Sequence, residues 1–154
     1  MDLQTEQAVW RRVKGPGDMT AQEAVLPERL EALILEQRAE AAELRALARR
    51  MRGQGSAALN RMGARAETRV RALTTLHYLL TGRQLRIQPP RLPPKGPLPE
   101  ALREAYLRSR QAARSFEALG KEFSDYEEDF ADYAADTKSD SRSLAGLLQQ
   151  QMRG

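Results

Sequence analysis

The chain has no cysteine among its 154 residues and a single histidine, His77. Disulfides, iron–sulfur clusters and thiolate zinc sites are thereby excluded, as is any catalytic or metal centre that needs two imidazoles. Aromatic residues are scarce at 5%, with one tryptophan. The Lys/Arg–aromatic interleaving of single-strand nucleic-acid binders is therefore missing. No apolar run approaches the roughly 18 residues needed to cross a bilayer. The opening MDLQTEQAVW is acidic and lacks the basic-then-apolar pattern of a secretion signal, so a cytoplasmic protein is expected. There is no Gly-rich phosphate loop, no nucleophile elbow and no Ser/His/Asp set.

What is present favours helix. Hydrophobic residues make up 41% and charged residues 30%, the balance of a folded domain, and Ala, Leu, Arg, Glu and Gln abound. The net charge of +4 is uneven: residues 121–154 carry four basic against eight acidic side chains, and residues 1–120 carry 21 against 13. Such a split fits complementary neighbouring helices. It also fits a nucleic-acid-binding face, for which no motif argues.

Four amphipathic segments follow a short arm. Residues 1–19 form that arm, with Leu3, Val9, Trp10 and Val13 on one side and Gly15-Pro16-Gly17 ending it. Trp10 either docks the arm on the rest of the protein or contacts a partner. The domain proper spans 20–154, with helices expected at about 27–52, 56–81, 98–119 and 124–152. Pro27 suits the first turn of the first helix, Ser56 can cap the second, and Ser124-Asp125-Tyr126-Glu127 has the form of a capping box for the fourth. The first stripe is Leu30, Ile34, Gln37, Ala41, Leu44, Ala48, Met51, in alternating steps of 4 and 3. The others run Leu59, Met62, Ala66, Arg69, Leu73, Leu76, Leu80; then Leu102, Ala105, Ser109, Ala112, Phe116, Leu119; then Tyr126, Phe130, Tyr133, Thr137, Asp140, Leu144, Leu147. Residues 82–97 contain five prolines. At about 3.1 Å per residue such a segment reaches about 50 Å, longer than a 25-residue helix at about 37 Å. The expected fold is all-α: an antiparallel four-helix bundle of two hairpins joined by a long Pro-rich crossover.

Each stripe is interrupted at its middle. The interruptions are Gln37, Ala66, Arg69, Ser109, Thr137 and Asp140, and they repeat between halves: one odd residue in the first helix of each hairpin and an i, i+3 pair in the second. Carboxylate-bridged di-iron bundles place one Glu on each of two helices and Glu-x-x-His on each of the other two. Hard oxygen donors hold the two cations and imidazoles complete the sites. With AEAAELRALARR at 39–50, LHYLLTG at 76–82, the Pro-rich crossover and LREAYLRSRQAARSFEAL at 102–119, the chain resembles the rubrerythrin-like branch of the ferritin-like superfamily over most of residues 27–152.

The resemblance places the family's single glutamates at Gln37 and Ser109, and its two Glu-x-x-His pairs at Ala66/Arg69 and Thr137/Asp140. Only Asp140 is an ordinary iron ligand, so the expected site is a degenerate one, with no cofactor and no catalytic residue. Its residues become a polar core cluster in which Arg69 either pairs with Asp140 or snorkels to solvent along its stem. A bacterial origin and a homodimer follow from the resemblance alone. The leading functional expectation is a non-enzymatic, metal-free bundle acting through protein contacts or self-association. The alternatives are an iron-binding oxidoreductase with atypical ligands, for which Glu36, Glu67 and Asp140 are the candidates, and a small-molecule carrier using the vacated centre. His77 is expected to serve the last carbonyls of its helix. Tyr106, Tyr126 and Tyr133 are expected to be core aromatics.

Overall fold

The computed structural model describes residues 21–86, 88 and 96–153. It contains four long helices, α1 (Ala21–Arg50), α2 (Gly53–Thr81), α3 (Leu98–Glu122) and α4 (Glu127–Arg153), with a 3-10 turn at Ser124–Tyr126 leading into α4. No strand occurs among the described residues. The expected arm with Trp10 lies outside the described residues, as does most of the Pro-rich stretch. Packing is most extensive between α1 and α2 and between α3 and α4; α1 also lies along α3, and α2 touches α4.

Helix ends depart from the sequence expectation in instructive ways. The first helix already runs from Ala21, with Pro27 inside it. An interior proline forfeits a backbone hydrogen bond, yet Leu26 and Leu30 on either side are both buried in the core, so packing holds the segment helical. The second helix starts at Gly53, whose φ of +63° suits glycine. Ser56 does not cap α2. Its hydroxyl instead donates to the Ala48 carbonyl at 2.7 Å, closing the end of α1 across the two-residue link Met51-Arg52. Gly82, at φ +69°, terminates α2 by donating its N–H to the Tyr78 carbonyl.

The third helix does not stop at Gly120 but continues to Glu122. A Cβ on Gly120 would lie 3.5 Å from the Glu127 carbonyl oxygen and 3.5 Å from the Phe130 Cβ, so this glycine marks close approach of the start of α4. The expected capping box is replaced by the 3-10 turn, whose N-cap residue Phe123 makes no side-chain cap. Phe123 is instead buried.

The apolar interior forms two clusters. One gathers Leu30, Ile34, Leu73 and Leu76 with Phe116, Phe123, Tyr126 and Phe130, and Tyr133 packs against it. Its rings contact one another at centroid distances of 5.4 to 6.5 Å, a range in which edge and offset contacts are favourable. The other gathers Leu44, Leu47, Leu59, Met62, Leu102, Leu144 and Leu147. No described helix is long and apolar enough to cross a membrane.

Candidate functional site

On every helix the residues between the two clusters are the ones that interrupt its stripe. Gln37, Ala66, Ser109, Thr137 and Asp140 are fully enclosed, and Arg69 is 2% exposed. The arginine does not snorkel out. Its Nε donates to Gln37 Oε1 at 2.7 Å, and its Nη2 lies 3.6 Å from Asp140 Oδ2. Asp140 Oδ1 accepts a hydrogen bond from Arg65, a half-exposed residue one helical turn before Arg69. Two cations from α2 thus flank one carboxylate from α4, and the glutamine from α1 fixes the plane of the buried guanidinium.

Two buried acidic residues that the stripes do not predict join this layer. Glu40 is 2% exposed and Glu43 is 5% exposed. Gln37 Nε2 donates to Glu40 Oε2 at 2.8 Å, and Ser109 Oγ donates to Glu40 Oε1 at 2.7 Å. The result is one continuous polar chain through all four helices: Arg65, Asp140, Arg69, Gln37, Glu40, Ser109. Glu43 lies beside it, 3.1 Å from Arg108 on α3. Thr137 does not take part; its hydroxyl donates to the Tyr133 and Ala134 carbonyls of its own helix. Ala66, lacking any polar atom in its side chain, contributes only space beside Arg69.

Glu40 carries a signal that the stripe alone does not show. Leu26, Leu33, Glu40 and Leu47 recur every seven residues and all are buried, a second row beside the first stripe. A broad buried face of this kind is usual for a helix that packs against two neighbours. Glu43 and Arg65 carry no comparable signal, since both look like ordinary solvated charges.

Burial dominates the electrostatics of the layer. It pushes the Glu40 carboxyl above its ordinary range, against the hydrogen bond from Ser109 and the attraction of Arg69. It does the same to Asp140, against the hydrogen bond and charge of Arg65 and the charge of Arg69. Glu43 is likewise raised by burial and drawn back by Arg108. These directions follow from the cost of removing a carboxylate from water.

The donor set does not fit a di-iron centre. Of the six interrupting residues only Asp140 is a hard anionic ligand, and a guanidinium sits against it where a second cation would be repelled. The alternative trio is not brought together either. Glu36 is exposed, Glu67 accepts two hydrogen bonds from Arg45 at 2.8 and 2.9 Å, and Asp140 is in the core. Among the described residues no group of three or more His, Asp or Glu side chains is placed to hold a metal ion.

His77 serves no terminal carbonyl. It is buried, and its Nε2 meets Glu31 Oε1 at 3.1 Å across the α1–α2 contact. Tyr126 is a core aromatic and Tyr133 borders the core. Tyr106 lies at the edge of the smaller cluster, its hydroxyl accepting from Arg110 at 3.0 Å. Two shallow grooves flank α1 on the outside. One, of about 430 Å³, lies against α3 and is lined by Ala32, Leu33, Glu36 and Arg114 among others. The other, of about 310 Å³, lies against α2 and is lined by Arg38, Ala41, Ala42 and Val70 among others.

No family model matches the chain, and no curated protein or solved structure matches it.

Proposed function

We propose that the chain is a metal-free, non-enzymatic bundle of ferritin-like, rubrerythrin-like design, with antiparallel hairpins and a Pro-rich crossover, that acts through protein contacts. One observation carries this reading: the Arg69 guanidinium, 2% exposed, occupies the middle layer where a di-iron bundle would place its ions. It supplies positive charge to Asp140 and Glu40 without any metal. The order of interhelical contacts supports the antiparallel hairpin, since Glu31 meets His77, Gln37 meets Arg69 and Arg45 meets Glu67.

A layer built this way has no obvious chemistry to perform. The acid–base groups are enclosed and hydrogen-bonded to one another, and catalysis needs a group that a substrate can reach. The outer surface is left as the place where the protein acts. The test is elemental analysis of protein purified without added metal and again after loading with ferrous iron. Far less than one iron per chain in both samples is the expected result. About two irons per chain would overturn the reading and bring the oxidoreductase alternative forward.

A further inference from the structure

The outward side of α1 carries a second seam. Val25, Ala32, Leu35, Ala39, Ala42 and Ala46 repeat at heptad spacing, with Glu28 the one polar interruption. None of them is buried in the bundle. Val25 and Leu35 are 44% and 51% exposed, among the most exposed large apolar side chains described. A solvent-facing helix side has no need of a heptad, because its own bundle is satisfied by the opposite stripe.

The charges beside this seam identify its occupant. We infer that α1 packs against α1 of a second copy of this chain, running in the opposite direction about a two-fold axis between Ala32 and Leu35. This rests on the reading of the protein as one that acts through protein contacts, and it names the partner and the surface. With Ala32 level with the partner copy's Leu35, Val25 is level with Ala42. On one flank Glu31 then falls about 3 Å along the axis from the level of Arg38. On the other flank Arg29 falls equally near the level of Glu36. Both flanking pairs are of opposite sign, and each occurs twice by symmetry.

A parallel pairing in register would instead set Glu31 against Glu36, Arg45 against Arg50, and Glu28 against its own copy. Its one pairing of opposite sign, Arg38 with Glu43, is not on offer, because Glu43 is buried within its own bundle. Like charges held together are unfavourable, so the flanking residues select the antiparallel arrangement. Two of the side chains it uses already have a partner within the chain: Arg29 with Glu122 and Glu31 with His77. Each is still 35% or more exposed and keeps a face toward solvent. Alanines on the seam let two helices approach closely, and the grooves on either side of α1 leave room for the longer side chains of the partner copy.

The absence of cysteine makes the arrangement directly testable. Light scattering on the full chain over a concentration series should show a dimer. Single cysteines are then introduced as Leu35→Cys and Ala46→Cys and treated with a short bis-maleimide. Two copies of position 35 lie about 4.5 Å apart along the axis, whereas two copies of position 46 lie about 37 Å apart. Leu35→Cys should cross-link and Ala46→Cys should not. Leu35→Glu should raise the dimer dissociation constant at least tenfold while its helical circular dichroism and unfolding midpoint stay those of the parent. Glu31→Arg and Arg38→Glu should each weaken the dimer, and the double exchange should restore it.

A monomer at every concentration overturns the inference, as does equal cross-linking at both positions or a dimer unaffected by Leu35→Glu. If deleting residues 1–17 abolishes the dimer while Leu35→Glu does not, the arm is the associating element and the seam is wrong. None of these outcomes touches the metal-free reading, whose own failure is read separately as about two irons per chain.

Discussion

Asp140 and Leu144 are one turn apart on α4 and equally enclosed at 0% exposure, yet they belong to different kinds of interior. Leu144 lies in an aliphatic cluster that any residue of similar volume would fill. Asp140 lies in a layer where each group depends on a specific neighbour. Apolar packing is tolerant of chemistry and sensitive to volume. The charged layer is the reverse: its parts are stable only together, because each would be costly in the interior alone. The apolar clusters therefore explain why four helices associate. The layer constrains which residues meet when they do.

The largest effects should come from breaking the layer one residue at a time. Asp140→Ala leaves Arg69 buried with no anionic partner except Glu40, and should destabilise the protein by about 3–5 kcal/mol. Leu144→Ala should cost about 2–5 kcal/mol through lost apolar contact and the cavity it leaves. Denaturant titration at pH 7 reads both. The contrast would collapse if Asp140→Ala matched the parent, for the pair would then contribute nothing to the fold.

Replacing the layer as a unit should behave differently from breaking it. The combined change Glu40→Leu, Arg69→Met and Asp140→Leu removes all three buried charges and keeps roughly the same volume. Such replacements are often neutral or stabilising by about 1–4 kcal/mol. The expected outcome is a variant at least as stable as the parent but less uniquely packed, with broader methyl resonances by NMR, because nothing polar remains to fix the helix register. A triple variant less stable than Asp140→Ala would show that the charges stabilise the fold outright.

The same contrast explains how much of the molecule was legible in its sequence. Periodic burial is written residue by residue, so the stripes, their interruptions at Gln37, Arg69, Ser109 and Asp140, and the presence of four helices were all readable. Whether Arg69 would pair or snorkel was not, since that depends on what the facing helices offer at the same level. Glu40 was readable only by someone counting sevens from Leu26, because a lone Glu on a helix normally lies in water. Helix ends were the weakest part. Ser56 looks like an N-cap locally, but its hydroxyl reaches the Ala48 carbonyl because the link between α1 and α2 is only two residues long. Gly120 looks like a stop, but it is a close contact with α4. Both depend on chain segments remote in the local pattern.

The smallest effect should be the pH response that separates the layer from the apolar clusters. Burial raises the carboxyl of Glu40 in the folded chain. Between the ordinary carboxylate value of the unfolded chain and that raised value, the folded chain holds a proton that the unfolded chain has released. Linkage then requires that the contribution of Glu40 to stability be greatest below this window and fall as pH rises through it. Glu67, held low by Arg45, acts in the opposite direction, but it is well exposed and its weight is small. Comparing the parent with Glu40→Gln cancels such common terms. Stability measured at pH 5 and pH 7.5 should fall further in the parent than in Glu40→Gln, whereas Leu144→Ala should follow the pH profile of the parent at a uniformly lower level. Identical pH dependence in parent and Glu40→Gln would mean that the Ser109 and Gln37 hydrogen bonds and the Arg69 charge keep Glu40 as readily ionised inside the bundle as it is in water.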